Sequence, residues 1–283
     1  MKFGAIVNVS AGSVPEDAIR LLKEAVAEHG HQVVFPSADS LAPEAQIRQM
    51  VREKLDAVIV WGGDGTIATV LTELGGHPMP VLALPGGTMN ILPKKLHDGA
   101  TDWRNVLDAV LSNPAEKWIP AGIAGESRFY VAALFGRLTH LGGSREAIRE
   151  GNLMEAVNIL AREDALALDP ELEILTPSKE TSSVSAMAAA VLLGEGADAG
   201  LEVTAMAPES GLDLAAAAIE AIFTGWRNGA DFRAGGLQML SMCHDSDEAV
   251  PATIDGEPCE LSCPVEIRYL PRAACMLVAG AQA

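Results

Sequence analysis

The stretch Gly62-Gly63-Asp64-Gly65-Thr66 decides the fold class of this 283-residue chain. It follows the continuous apolar run 57–61 and precedes a helical pattern over 67–74. An apolar strand, a glycine turn and a helix in this order are typical of the ligand-binding edge of an open parallel sheet. The glycines let backbone N–H groups approach phosphate oxygens, and the helix N-terminus adds partial positive charge. Asp64 would repel a phosphate unless a divalent cation stood between them.

The segments around this turn repeat the same alternation of strand and helix. The apolar runs predict strands at 3–9, 32–35, 57–61 and 81–84, and the 3.6-residue spacing predicts helices at 18–29, 43–55 and 67–74. This order predicts a parallel sheet with helices on both faces.

Two more loops rich in glycine and polar residues follow predicted strands. They are Asn8-Val9-Ser10-Ala11-Gly12 after the first strand and Pro85-Gly86-Gly87-Thr88-Met89-Asn90 after the fourth. Because the carboxyl ends of parallel strands lie at one edge of the sheet, the three loops are predicted to converge on one nucleotide. The alternative is that Thr88 only caps a helix and that Asn90 is incidental.

The sequence beyond Ser112-Asn113-Pro114 has a different character. Apolar runs predict strands at 128–134, 171–175, 184–193 and 201–207, with helices at 151–166 and 214–226. The predicted fold class is therefore α/β: an N-terminal nucleotide-binding domain with a parallel sheet, followed by a β-rich α+β domain. The predicted boundaries are 1–118 and 119–283, and the last strand is free to return to the first domain.

Composition and charge exclude several classes of function. The 20 Lys and Arg residues against 38 Asp and Glu residues give a net charge of -18, and aromatic residues make up 4%. A surface of this sign repels nucleic acid, and few rings are present to stack on bases. The four cysteines lack zinc spacing, so unpaired thiols in a reducing cytosol are expected. No run approaches the roughly 18 apolar residues of a membrane span, which favours a cytoplasmic protein.

Three further features leave a functional and a structural interpretation open. Asp255-Gly256-Glu257 supplies two carboxylates that suit a base and a metal or hydrogen-bond contact, yet Asp-Gly is also a common hairpin turn. Trp61 is interpreted as packing on the sheet, and Lys94-Lys95 as a solvated helix end.

Six stretches of the chain together resemble the diacylglycerol kinase catalytic-domain family, which includes bacterial lipid kinases and sphingosine and ceramide kinases. Four are the loops and turn just described, at 8–12, 62–66, 87–90 and 255–257. The other two are the segments 129–136 and 198–203. The Gly-Gly-Asp-Gly-Thr string is also shared with NAD kinases and phosphofructokinases, whereas Gly-Thr-x-Asn and the late Asp-Gly-Glu narrow the resemblance to lipid kinases.

The resemblance implies an ATP- and Mg²⁺-dependent lipid kinase with its active site in the cleft between the two domains. It assigns ATP contacts to the three loops and to Ser37, and a place in the magnesium network to Asp64. It makes Glu257 the base for the acceptor hydroxyl, with Asp255 beside it, and Asp198 a metal ligand. The implied nucleotide-binding residues are Asn8, Ser10, Gly12, Ser37, Gly62, Gly63, Asp64, Gly65, Thr66, Thr88 and Asn90.

The resemblance also implies partners and a location. The acceptor would be diacylglycerol or a similar lipid, reached by transient peripheral contact between a cytoplasmic protein and a membrane surface. A homodimer is left open, and no nucleic-acid partner is expected.

Departures from the family pattern keep two alternatives open. Pro120 stands where many bacterial members have an Asp of the metal network, and the segment before Asp198 is short. These changes motivate a catalytically inactive nucleotide-binding regulator of the same fold. The other alternative is an NAD kinase-like enzyme with a soluble acceptor, although the chain contains no Asn-Glu dipeptide of the kind that family uses to hold its dinucleotide.

Overall fold

The chain divides into two compact units in the computed structural model. Unit 1 comprises Met1–Ala121 and Pro271–Ala283, and unit 2 comprises Gly122–Leu270. The helices predicted at 151–166 and 214–226 lie outside the described residues, as do Ser37 and Asp198. The structure describes residues 1–36, 43–136, 172–176, 182–194, 199–206, 232–244, 246 and 249–280.

Unit 1 contains the predicted parallel sheet. Its first four strands are β1 (Lys2–Val7), β2 (Gln32–Val34), β3 (Ala57–Gly62) and β4 (Val81–Pro85). They lie in the order β2-β1-β3-β4, and each neighbouring pair is parallel. The sheet continues with the second half of the chain's last strand, β16 (Val265–Ala279), where Met276 pairs in parallel with Val81 of β4.

Five helices accompany this sheet, and apolar residues explain their positions. They are α1 (Ala18–Glu28), α2 (Pro43–Val51), α3 (Asp64–Leu74), α4 (Ile91–Leu96) and α5 (Trp103–Ser112). Every residue of β3 is buried, as expected for a strand covered on both faces. The core of unit 1 joins the strands to α1 and α5 through residues such as Phe3, Leu22, Ile59, Leu84 and Leu107.

Unit 2 is built from antiparallel strands in the part of the chain that the structure describes. β5 (Pro114–Ala124) begins in unit 1, and only its residues 122–124 belong to unit 2. The strands that follow are β6 (Ser127–Phe129), β7 (Ala132–Gly136), β8 (Leu172–Thr176), β9 (Ser182–Ala186), β10 (Ala188–Gly194), β11 (Gly200–Met206), β12 (Phe232–Leu237), β13 (Met239–His244), β14 (Val250–Ile254), β15 (Glu257–Leu261) and β16. One sheet has the order β12-β11-β10-β7-β14-β15. In the other sheet, the part within unit 2 pairs the first half of β16 with β13, β13 with β8, and β8 with β9.

The core of unit 2 follows the two-residue period of its strands. Alternate residues of β10 and β11 enter one cluster: Ala189, Val191, Leu193, Leu201, Val203 and Ala205. The segments predicted as single strands at 128–134 and 184–193 are each divided in two, the second at Met187. The fold class predicted from the sequence, a parallel-sheet α/β domain with a β-rich second region, is confirmed.

The expectation of four unpaired thiols is wrong for two of them. Cys243 and Cys263 form a disulfide with a Cα–Cα distance of 5.2 Å, while Cys259 and Cys275 are free. β13 and β16 are antiparallel neighbours with Met242 opposite Val265, and this pairing brings the two cysteines together. The 20-residue separation in sequence hides this contact. One argument for a reducing compartment is thereby removed.

Within the described residues, no helix combines the length and the apolar character needed to cross a bilayer.

Candidate functional site

The Gly62–Thr66 loop turns directly from β3 into α3. The helix begins at Asp64 and not at the predicted Ile67, so the last three residues of the loop form the first helical turn. Gly63 is the N-cap in an extended conformation, and its carbonyl accepts the N–H of Ile67 at 3.1 Å. The first N–H groups of a helix have no partner within it, and here they open beside the loop glycines. This end of α3 is suited to bind an anion.

Asn8 ties the first loop to this helical turn. Its Nδ2 donates to Thr66 Oγ1 at 2.9 Å, and its Oδ1 accepts the backbone N–H of Ser10 at 3.1 Å. Its backbone N–H donates to the carbonyl of Trp61 at 2.9 Å. The amide of Asn8 therefore shapes the loop, while Val9 and Ser10 are exposed to solvent.

The third loop lies against both of the others. A Cβ on Gly87 would lie 2.7 Å from Gly63 Cα, and a Cβ on Gly86 would lie 3.0 Å from Gly62 Cα. Ser13 closes the other side, because its N–H donates to Gly86 O at 3.0 Å and its hydroxyl to Gly87 O at 3.2 Å. The three loops thus meet within unit 1. Gly86 and Gly87 allow two backbones to approach, a role that the sequence analysis did not assign to them.

The carboxylate of Asp64 holds the start of α4. Its two oxygens accept the backbone N–H groups of Ile91 at 3.1 Å and Leu92 at 2.9 Å. Asp64 is thus a helix cap, but for the helix that follows the third loop and not for its own. A carboxylate oxygen has lone pairs beyond those used here. The predicted place of Asp64 in a magnesium network stays a prediction.

Asn90 locks the turn of the third loop. It is 6% exposed and adopts the left-handed conformation with φ 49°. Its Oδ1 accepts the N–H of Gly87 at 2.7 Å, and its Nδ2 donates to the carbonyl of the same residue at 2.8 Å. Asn90 is therefore not incidental, since both ends of its amide fix the loop. Thr88, between them, is exposed and is free to turn its hydroxyl toward a ligand.

The donors present restrict how a metal could be held. Among the described residues, no group of three or more His, Cys, Asp or Glu side chains could hold a metal ion. Mg²⁺ in nucleotide sites is commonly bound by one or two carboxylates together with phosphate oxygens and water. The carboxylate of Asp64 would suit such an arrangement if a bound nucleotide supplied the remaining ligands.

Trp61 and His97 each contact a backbone carbonyl and contribute to the fold near the loops. Trp61 is fully buried, packs 4.2 Å from the Trp103 ring by centroid distance, and donates to Pro85 O at 3.2 Å. This confirms the packing interpretation of Trp61. His97, which the sequence analysis left unassigned, lies 3.1 Å from Ala83 O through Nε2. Burial lowers the pKa of His97, which favours its neutral form.

The predicted base lies on a hairpin of unit 2. Asp255 (φ 47°) and Gly256 (φ 96°) form the two-residue connection between β14 and β15, with the two positive φ values of a type I′ turn. Glu257 is the first residue of β15 and pairs with Ile254. Its side chain is exposed, and no described residue forms a hydrogen bond or ion pair with it. The carboxylate of Asp255, by contrast, is bound by backbone N–H groups near Tyr130.

This chain is similar to proteins that are described as kinases. A NAD kinase from Thiobacillus denitrificans is 30% identical over 103 residues, a match that spans 34% of this chain and 34% of that protein. A crystal structure of a diacylglycerol kinase from Bacillus anthracis str. Sterne has a TM-score of 0.70 at 17% identity, covering 98% of this chain and 96% of that one. A second structure from that organism, described as a candidate diacylglycerol kinase, gives 0.71 at 18% identity with the same coverage. These two likenesses show the fold.

A separate match in sequence lies within the first unit. Residues 2–118 match the diacylglycerol kinase catalytic domain, and this segment holds all three loops. This part of the chain is therefore similar in sequence to the diacylglycerol kinase catalytic domain.

Proposed function

We propose that the protein transfers the γ-phosphoryl group of ATP to the hydroxyl of diacylglycerol or a similar lipid. The observation that carries the proposal is the meeting of three glycine loops at the N-terminus of α3, held by Asn8, Ser13 and the pair Gly63 and Gly87. Such a cluster offers backbone N–H groups and hydroxyls to a chain of phosphates. The family match of residues 2–118 supports a kinase.

Each loop has a distinct part in binding the nucleotide. The first turn of α3 offers N–H groups to phosphate oxygens, while the exposed hydroxyls of Ser10 and Thr88 are further donors. Asp64 would hold the Mg²⁺ that accompanies ATP, and this ion would neutralise charge on the phosphates. Catalysis of phosphoryl transfer depends mainly on such positioning and neutralisation.

Glu257 is proposed as the general base. The oxygen of the lipid hydroxyl forms a bond to the γ-phosphorus, the bond from that phosphorus to the ADP oxygen breaks, and Glu257 takes the hydroxyl proton. Its exposed carboxylate has no partner among the described residues that competes for this proton. A positioned base typically contributes about 10²- to 10⁴-fold to the rate.

The direct test is transfer of label from γ-labelled ATP with Mg²⁺ to a panel of acceptors. The panel contains diacylglycerol, a sphingoid base, monoacylglycerol and NAD, each with a no-acceptor control for ATP hydrolysis. We expect a labelled lipid, and we expect Glu257→Gln to lower kcat by about 10²-fold or more while ATP binding is kept. Full activity of Glu257→Gln removes that residue from the reaction. Absence of labelled lipid with the wild-type protein contradicts the proposed activity.

A second candidate is phosphorylation of NAD. The match to a NAD kinase over 103 residues favours it, whereas the absence of an Asn-Glu dipeptide opposes it. Labelled NAD with no labelled lipid in the same panel would select this candidate.

A third candidate is a regulator that binds nucleotide without turnover. By the family resemblance, Pro120 in β5 takes the place of an expected carboxylate, and this departure motivates the candidate. Tight binding of Mg-ATP with no transfer to any acceptor would support it.

A lipid acceptor requires transient contact with a membrane surface. The net charge of -18 predicts weak binding to anionic vesicles at low salt and no dependence on nucleic acid. Sedimentation with zwitterionic vesicles, with and without diacylglycerol, measures this contact. Binding that requires diacylglycerol supports the proposed acceptor, and equal binding to both vesicles counts against it.

A further inference from the structure

The carboxylate of Asp255 binds three consecutive backbone amides. Its Oδ2 accepts the N–H of Tyr130 at 2.7 Å, and its Oδ1 accepts those of Val131 at 2.9 Å and Ala132 at 3.0 Å. These donors form the connection from β6 into β7, more than 120 residues away in sequence. Hydrogen bonds to an ionised carboxylate are stronger than those between neutral groups.

The backbone of Asp255 joins the same strand. Its N–H donates to Ala132 O at 3.0 Å, and its φ of 47° lies in the left-handed region that the turn requires. Main chain and side chain together therefore fasten the tip of the β14–β15 hairpin to the start of β7. The pairing of β14 with β7 continues this attachment, with Ile254 opposite Ala133.

Glu257 depends on this attachment for its place in unit 2. It follows Asp255 by two residues and is held by pairing with Ile254, while its own side chain has no partner among the described residues. A carboxylate has about four lone-pair directions. Three of those of Asp255 are occupied by N–H groups, so it is poorly suited to take a proton from a substrate.

We propose that Asp255 is a positioning residue that acts through Glu257 and is not itself a base. This inference rests on the proposed function, because it needs Glu257 to act in phosphoryl transfer. It also changes the expectation from the family resemblance, in which Asp255 stands in the catalytic pair. A displacement of about 1 Å in a reacting group costs on the order of 10²-fold in rate.

A double-mutant cycle tests the proposal. The cycle compares kcat and the KM for ATP among the single variants Asp255→Ala, Asp255→Asn and Glu257→Gln and the two double variants that combine an Asp255 change with Glu257→Gln. Asp255→Ala should lower kcat about 100-fold with KM for ATP unchanged. Asp255→Asn should restore kcat to within about tenfold of wild type, since Asn tolerates the left-handed conformation and its amide oxygen accepts N–H groups.

The cycle also distinguishes a positioning role of Asp255 from a catalytic role that is independent of Glu257. In the Glu257→Gln background, Asp255→Ala should lower kcat by less than about threefold, because the group through which Asp255 acts is already lost. Multiplicative losses would overturn the proposal, and so would an Asp255→Asn protein as slow as Asp255→Ala. Glu260→Gln, an exposed carboxylate on the same strand, is the matched control and should leave kcat unchanged.

Amide hydrogen exchange keeps the inference testable if the wild-type protein transfers no phosphate. In that case the proposed function fails, while the attachment itself is still measured at the amides of residues 130–132. We expect these amides to be protected in the wild type and in Glu257→Gln, and to exchange faster in Asp255→Ala at unchanged global stability. Equal protection in Asp255→Ala would contradict the attachment.

Discussion

The close approach of Gly63 and Gly87 predicts the effect of adding a single methyl group at either position. A Cβ added to Gly87 would lie 2.7 Å from Gly63 Cα, which is about 0.7 Å short of the 3.4 Å at which ordinary contact begins. The obstacle is backbone, so no side-chain rotation relieves it. Gly87→Ala must therefore separate the second and third loops or distort the turn locked by Asn90.

The expected cost follows from that distance. Overpacking in a well-packed site costs about 1–3 kcal/mol, and Gly87→Ala should lower the free energy of unfolding by this amount. Since the loops also hold the phosphates, phosphate transfer should fall about 100-fold for a shift of about 1 Å. Gly63→Ala is the matched stability control, because its Cβ would lie 3.5 Å from Gly87 Cα, in ordinary contact.

Chemical denaturation of the wild type and both variants measures the effect, with Mg-ATP titrations run in parallel. Gly87→Ala should show a lower midpoint and weaker nucleotide binding, and Gly63→Ala should keep the wild-type midpoint. If Gly87→Ala unfolds at the same denaturant concentration as the wild type and Gly63→Ala, the close approach of these loops does not constrain the fold.

Three further perturbations address other parts of the structure. Reducing the Cys243–Cys263 disulfide, which spans 20 residues around the β14–β15 hairpin, should cost about 3 kcal/mol of stability, and equal denaturation midpoints with and without reductant would contradict this. Asp64→Ala should lower stability by about 1–2 kcal/mol through loss of the α4 cap and should abolish phosphate transfer; a variant with wild-type turnover would exclude the predicted role. Because burial lowers the pKa of His97, its unfolded form takes up a proton at a higher pH than the folded form, so this residue costs stability as the pH falls below about 6.5. His97→Gln should flatten that part of the pH–stability curve, and parallel curves would argue against it.

The sequence predicts the first unit well because its signals are local. A strand buried on both faces, such as β3, reads as a continuous apolar run, and a glycine turn at its end marks the ligand-binding edge. α5 carried an equally local signal that the sequence analysis missed. Its buried residues Val106, Leu107, Val110 and Leu111 have helical spacing, and Asp102 caps it by accepting the N–H of Asn105.

The features that the sequence does not reveal depend on distant pairs. α4 is capped by Asp64 from 27 residues away, and the amides of residues 130–132 are bound by a carboxylate more than 120 residues later. The disulfide likewise depends on the register of β13 and β16. The residue types alone suggested catalytic or free groups at these positions, while the fold engages several of them in holding loops and turns.

Chemical-shift mapping of backbone amides during a Mg-ATP titration measures whether three loops from separate parts of unit 1 bind one triphosphate. We expect saturable shifts concentrated at residues 8–13, 62–66 and 86–90, each with the same dissociation constant. Shifts confined to one loop, shifts at other parts of unit 1, or no saturable response would contradict it.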